Sequence, residues 1–244
     1  MKMMALHGFT GNGADFALLT PHLDASLVTP DLVGHGPAEP PARLAEYTMH
    51  AETSRLASMM PTAMWVMGYS MGGRTALHLA VHHPERVLGL ILIGATPGIV
   101  DPTARAARQI ADARLADRIR AMPLETFLDE WSQKPIIASQ RRIDTTHRAE
   151  MLARRRRSHP EGLANSLIGM GAGAMPPVWS ALPSLSIPVL LLTGEADDKF
   201  TRIAVQMQER LPDATHRIVQ GAGHCAHLEQ PARASAHINR FLSR

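Results

Sequence analysis

With one cysteine in 244 residues, the chain cannot form an internal disulfide, which excludes the cross-linked scaffolds of small secreted domains. A reducing, cytoplasmic setting is the expectation, with Cys225 as a small buried residue. Long apolar runs are also missing. No window approaches the ~18 consecutive apolar residues of a spanning helix, and the apolar stretch within residues 1–7 is too short for a signal peptide. No membrane partner is expected. Aromatic residues make up only 4% of the chain, and none interrupts its one basic run, Arg154-Arg155-Arg156-Arg157. The net charge of +3 and sequence pI near 9.5 lean basic. Yet an arginine run inside a helical stretch, without stacking residues, reads as a solvated or anion-facing helix and not as a nucleic-acid surface. Excess arginine near a pocket suits a small anionic substrate.

What the chain does carry is Gly68-Tyr69-Ser70-Met71-Gly72. An apolar run, Ala63-Met64-Trp65-Val66-Met67, leads into it, and a helical run, Thr75-Ala76-Leu77-His78-Leu79-Ala80-Val81, follows. This is the pattern of a nucleophile elbow, a sharp strand-to-helix turn so tight that its neighbours must lack a Cβ. Gly73 adds room for close packing. A serine hydroxyl needs activation at neutral pH, so an imidazole and a carboxylate should follow in the order Ser, Asp, His.

Both are present. The apolar run Ile187-Pro188-Val189-Leu190-Leu191-Leu192-Thr193 ends in Gly194-Glu195-Ala196-Asp197-Asp198, which seats Asp197 on a loop after a buried strand. Asp198 is its rival, but adjacent loop side chains point apart, and Asp198 reads as a solvated carboxylate. The next strand, Thr215-His216-Arg217-Ile218-Val219, runs into Gly221-Ala222-Gly223-His224, so His224 is the candidate base. Most of the 13 histidines must have no chemistry. His227 reads as an early residue of the last helical segment, and His35, in a glycine-rich turn, as structural.

Along the chain, residues 1–94 alternate strand and helix, with strands near 3–6, 26–30, 63–68 and 87–93, and the alternation resumes over 187–243. Between them, from about 95 to 180, strand signals vanish in favour of amphipathic helices near 103–121, 124–133, 144–157 and 160–170. We therefore expect a single α/β domain over 1–244, of the α/β-hydrolase fold, with a helical lid inserted at about 95–180. Leu6-His7-Gly8-Phe9 resembles the loop of α/β hydrolases that shares the oxyanion hole with the residue after the nucleophile, which implies the amides of Phe9 and Met71 as its donors. The chain starts at that strand, and a sheet without the two strands usual before it is expected. The expected sheet has about six strands, mainly or wholly parallel.

The loop motif, the elbow Gly68-Tyr69-Ser70-Met71-Gly72-Gly73-Arg74, Ala107-Arg108-Gln109, Trp131-Ser132-Gln133-Lys134-Pro135-Ile136-Ile137-Ala138-Ser139, Gly169-Met170-Gly171-Ala172-Gly173, Gly194-Glu195-Ala196-Asp197-Asp198-Lys199-Phe200 and Ala222-Gly223-His224-Cys225-Ala226-His227 together resemble the SHCHC synthases (2-succinyl-6-hydroxy-2,4-cyclohexadiene-1-carboxylate synthases) of menaquinone biosynthesis. The resemblance spans almost the whole chain. It implies a lyase that expels pyruvate from SEPHCHC, with Ser70 as proton acceptor, His224 as relay and Asp197 as orienter. It further implies that Arg74 and Arg108 bind substrate carboxylates and that Tyr69 and Trp131 line the pocket. One more arginine of the family aligns with Arg156 or Arg157. No metal and no cofactor are expected, and the oligomeric state is left open. A carboxylesterase using the same triad is the alternative reading.

Overall fold

A computed structural model describes all residues, 1–244. In chain order it holds strands β1 (Lys2–Leu6) and β2 (Ser26–Val28), helix α1 (Met49–Ser58), β3 (Met64–Tyr69), α2 (Met71–His82) and β4 (Val87–Ile93). Four helices follow without a strand: α3 (Pro102–Ala121), α4 (Leu124–Ser132), α5 (Thr145–Arg155) and α6 (Pro160–Met170). Then come β5 (Val189–Gly194), α7 (Asp198–Gln208), β6 (Ala214–Val219), α8 (Ala226–Glu229) and α9 (Pro231–Leu242).

The six strands form one sheet in the order β2-β1-β3-β4-β5-β6, and every neighbouring pair is parallel. A parallel sheet must be covered on both faces, and successive strand residues point to opposite faces. The burial follows this period: Met4, Leu6, Val66, Leu90, Leu92 and Leu191 pack into one core, while Met3, Ala5, Met67, Ile91, Ile93 and Leu192 pack into the other. The two cores take up the strands' apolar runs, which explains why those runs are continuous and do not alternate with polar residues.

The chain leaves β1 toward β2 on one side and returns to β3 on the other. Loops at the carboxyl ends of β1 and β3 therefore part and leave a crevice at this switch of direction. Register places Leu6 beside Gly68, so the segment after β1 and the turn after β3 face each other across that crevice.

One expected element takes a different form. The sequence predicts a helix between β1 and β2, and the structure has two short 3-10 turns there, Gly13–Phe16 and Thr20–His22. Gly11, Gly13 and Pro21 break the stretch, and Gly13 lies so close to the Thr29 carbonyl that a Cβ would collide with it.

Residues between β4 and β5 have a small apolar core of their own, in which Ala116 and Ile119 of α3, Phe127 and Leu128 of α4 and Leu163 and Leu167 of α6 pack together. Local signals start these helices: Asp101 accepts from the Ala104 amide and Pro102 opens α3, Asp144 accepts from the amides of Thr146 and His147, and Pro160 opens α6.

Candidate active site

Ser70 lies at φ 52°, ψ −106°, between the last residue of β3 and the first of α2. A non-glycine residue in the left-handed region of φ is strained, and surrounding structure must hold it there. Here the Ser70 amide donates to the Ile93 carbonyl at 2.9 Å, and its own carbonyl accepts from Arg74 at 3.0 Å. The flanking glycines are sterically required. A Cβ on Gly68 would strike the Gly72 carbonyl, and one on Gly72 would strike the carbonyls of Leu6 and His7. The elbow is thus pressed directly against the segment that follows β1.

His224 is brought to Ser70 from 154 residues away. Its Nε2 lies 3.1 Å from Ser70 Oγ, and its Nδ1 lies 2.7 Å from Asp197 Oδ2. Both His224 and Asp197 are buried. A carboxylate at Nδ1 fixes that proton, leaving Nε2 free to accept one from the serine. The loops carrying the two groups are laced together: Glu195 donates its amide to Val219 at 3.1 Å, Ala196 to Ala222 at 2.9 Å, and Glu195 Oε2 accepts from the Gly221 amide at 2.9 Å. The Asp–His distance is therefore fixed by backbone bonds and not left to two mobile loops.

Asp198, the adjacent carboxylate, is exposed at the first position of α7. His227 lies within α8, its ring centroid 4.7 Å from that of Tyr69. Burial holds its pKa down at about 3, with smaller contributions from the charges of His224 and Arg155, so it stays neutral.

After β1, His7 acts as a structural staple. Its Nε2 accepts from the Leu32 amide at 3.0 Å and its Nδ1 donates to the Gly8 carbonyl at 2.8 Å. Burial lowers its pKa to about 4, which preserves the neutral form that the bond from Leu32 requires. The Phe9 amide that follows has no acceptor in the protein. Met71 begins α2, where amides lack intrahelical acceptors. These two donors flank Ser70 from the two sides of the crevice.

A cavity of about 660 Å³ opens above Ser70 and His224. It is lined by the side chains of Arg74, Arg108, Lys134 and Lys199, against one carboxylate, Asp112. Arg108 spends its charge on Asp112 at 2.7 Å. Arg74 does not. It is buried, and its Nη1 donates to the Met170 carbonyl at 2.7 Å and approaches Met175 Sδ at 3.2 Å. No carboxylate lies within ion-pairing distance of it. Burial, reinforced by the charge of Arg108, pulls its pKa down to about 10, so it stays cationic at neutral pH.

A narrow extension of about 30 Å³ beside Ser70 is lined by Asp15, Tyr69, Trp131, Gln140 and Arg155. Trp131 stacks edge-on against Phe9 with ring centroids 5.3 Å apart. Trp131 Nε1 and Arg155 Nε are buried without hydrogen-bond partners. Such unsatisfied donors are costly, and two beside one small space mark it as a place for a polar group from outside the chain.

The third arginine at this site is neither of the two that the resemblance left open. Arg156 is exposed and pairs with Glu125 at 2.9 Å, and Arg157 is exposed as well. Arg155 is the buried one, set between Gln140 Oε1 at 3.2 Å and Asp15 Oδ2 at 3.7 Å. Helical phase carried this information: Arg155 lies four residues after Met151, the other buried residue of α5, and therefore on the same face. Lys134 and Gln140 also line the site, and neither stands in a pattern that singles it out.

Comparison with known proteins agrees with this geometry. The model of the alpha/beta hydrolase fold family matches residues 3–231. A putative SHCHC synthase of Bacillus subtilis is 37% identical over 99% of this chain and 90% of its own length. The SHCHC synthase of Pectobacterium atrosepticum is 35% identical over 99% of this chain and 93% of its own. Among solved structures, MenH from S. aureus superposes with a TM-score of 0.94 at 27% identity, over 100% of this chain and 93% of that one. An esterase from Thermogutta terrifontis reaches a TM-score of 0.74 at 25% identity, over 100% of this chain and 89% of that one. The chain belongs to the SHCHC synthase family, within the α/β-hydrolase fold.

Proposed function

We infer that this protein is the lyase of menaquinone biosynthesis that eliminates pyruvate from SEPHCHC to give SHCHC, as its relatives' names imply. The observation that carries the reading within the site is Arg74. A buried guanidinium without a counter-ion is expensive unless a ligand supplies the charge. The cavity above Ser70 offers that place, and the substrate of this reaction is a polycarboxylate. An esterase for neutral substrates has no use for an unpaired cation there, so the hydrolase reading is not favoured.

In the reaction, Ser70 Oγ removes a proton from the ring, and His224 Nε2 takes it up while Asp197 holds the imidazole in the right tautomer and stabilises its charged form. Electrons from the broken C–H bond form a new ring double bond and shift the existing one toward the leaving group, as the change from cyclohexene to a conjugated cyclohexadiene requires. The bond from the ring to the enolpyruvyl oxygen breaks, and the proton on His224 can return to the departing pyruvate enolate. The amides of Phe9 and Met71 stabilise the enolate-like oxyanion that develops meanwhile.

Arg74 binds a substrate carboxylate with paired donors, Arg108, whose Nε is held by Asp112, offers its Nη donors to a second, and Tyr69 and Trp131 bound the pocket. The helical insertion over about 95–180 acts as the lid that selects the substrate, within a single domain spanning 1–244. The partner is a small anionic molecule. No helix is long and apolar enough to cross a membrane, and we place the reaction in the cytoplasm.

The direct test is incubation with freshly prepared SEPHCHC and measurement of pyruvate release beside hydrolysis of short uncharged nitrophenyl esters. Lyase turnover should exceed ester hydrolysis in kcat/KM, and the opposite ranking would overturn the reading.

A further inference from the structure

Glu229 ends the short helix α8 and takes no part in the chemistry above, yet its carboxylate is buried and fully engaged. Oε2 accepts from the Gly223 amide at 2.7 Å. Oε1 accepts from the Cys225 amide at 3.1 Å and from the Ser139 hydroxyl at 2.7 Å. No lysine, arginine or histidine pairs with it, so its charge is met by these dipoles alone. Two of the donors are the amides on either side of His224. The third belongs to the insertion, in the 3-10 turn Ala138–Arg142 that follows the lining residues Lys134 and Ile137.

We propose that Glu229 is a positioning residue: by gripping the backbone on both sides of His224 and the hydroxyl of Ser139, it sets the base against Ser70 and ties that setting to the seating of the insertion.

Three lines of geometry support it. Asp197 fixes only one edge of the imidazole, at Nδ1, and leaves the backbone of the loop to be held by something else. Backbone bonds hold the loop at Ala222 and at the Cys225 carbonyl, and a carboxylate holds it at Gly221, but the amides of Gly223 and Cys225 on either side of His224 are held by the Glu229 carboxylate. The fit with the insertion is also tight, since a Cβ on Gly223 would lie 2.5 Å from Ser139 Oγ. Glycine at 223 is thus what lets Ser139 reach the carboxylate. A buried anion accepting three bonds loses much when any acceptor becomes a donor, because a facing N–H is then left unsatisfied.

The inference rests on the proposed lyase reaction for its kinetic readout, and has a second readout that does not. Glu229→Gln keeps the size of the side chain but turns one acceptor into a donor. It should lower kcat for pyruvate release about 10- to 100-fold, the equivalent of one lost charge-assisted bond, with KM within about twofold. Ser139→Ala, which leaves Glu229 in place, should lower kcat less, about 3- to 10-fold by loss of one neutral-donor bond, and the double variant should lose less than the product of the two. The proton shared by His224 and Asp197 should give a downfield signal in the NMR spectrum of the wild-type protein that shifts or broadens in both variants, with no substrate present. A residue that merely stabilised the fold would lower the melting temperature and leave this signal and the kcat-to-KM pattern unmoved.

Wild-type kcat in folded Glu229→Gln, or losses that multiply in the double variant, would overturn the proposal. If Glu229→Gln does not fold, Ser139→Ala decides alone: an unchanged signal and unchanged kcat reject the link to the insertion. No pyruvate release from the wild type, together with the signal shifts in both variants, would refute the reaction while sparing the positioning role.

Discussion

The two walls of the site are built on opposite principles. On the sheet side, the groups of the Ser70–His224–Asp197 chain have partners at 2.7 to 3.1 Å, and the loops that carry them are cross-bonded. On the side closed by the insertion, charged and polar groups are buried without partners: Arg74, facing it from α2, has no carboxylate within pairing distance, and Arg155 Nε and Trp131 Nε1 lack acceptors. The first wall is complete without substrate, and the second is completed by it. Proton transfer needs a fixed geometry before substrate arrives, whereas recognition of an anion gains from cations that nothing else has neutralised.

The most damaging way to break the comparison is to damage the complete wall. Ser70→Ala and His224→Ala should each lower kcat by several orders of magnitude, and the double variant should lose little more, because the three groups act as a unit. Asp197→Asn should be nearly as severe. Asp198→Asn, at an exposed position one residue away, should change kcat by less than about twofold. Multiplicative losses in the double variant would show that serine and histidine work independently, and a severe Asp198 variant would move the orienting acid. Steady-state pyruvate release measures all five variants.

Much of the complete wall is legible in the sequence because local rules dictate it. The Gly-x-Ser-x-Gly spacing is a steric statement about one turn, and Asp197 and His224 follow strands whose apolar runs mark them as buried. The helices of the insertion also match their patterns closely, since Asp101, Asp144 and Pro160 supply their starts. What does not show is whatever depends on packing between distant segments. Arg155 is one of four consecutive arginines, and its helical phase with Met151 marks it as inward only once α5 is known to bury that face, which its docking on the segment after β1 does. Glu229 is unremarkable until Ser139, 90 residues away, is brought to it. The missing helix before β2 is similar: the demand on Gly13 comes from Thr29, just after β2.

The unpartnered wall yields the second test, in which activity and stability should part. Arg74→Met should lower kcat/KM about 10- to 200-fold, the range of one charge-assisted bond to a carboxylate. The melting temperature should hold or rise, because an uncompensated buried charge is replaced by an apolar chain of similar length. Arg155→Lys keeps the charge but cannot bridge Gln140 and Asp15 in the same planar geometry, and should cost about 10-fold in kcat/KM. Arg156→Ala, which removes only a surface pair, should cost almost nothing. High salt should raise KM for the wild type more than for Arg74→Met. A strongly destabilised Arg74→Met protein would mean that the arginine serves the fold and not a substrate, and equal effects at 155 and 156 would remove the distinction between buried and exposed arginines.

The smallest expected effect concerns the layer behind the complete wall. His227 packs against Phe16 and Tyr69, with ring centroids at 5.2 and 4.7 Å, and its Nδ1 has no partner. Burial holds its pKa at about 3 in the folded protein, against about 6.5 in an unfolded chain. Below that unfolded value the denatured state binds a proton that the native state refuses, so stability rises with pH across the interval. The contribution is therefore whole above about pH 6.5 and is lost as pH falls toward about 3. His7, with a folded pKa of about 4, acts in the same direction, and the bond its Nε2 accepts from the Leu32 amide requires the neutral ring. His227→Phe should leave kcat at neutral pH within a few-fold and should flatten the fall in melting temperature between about pH 6.5 and 4, since one group with a depressed pKa is gone. Calorimetric scans of both proteins across that range measure it. An unchanged slope would mean that His227 takes up its proton in the folded state, and the region beneath Tyr69 would then be wetter than its burial indicates.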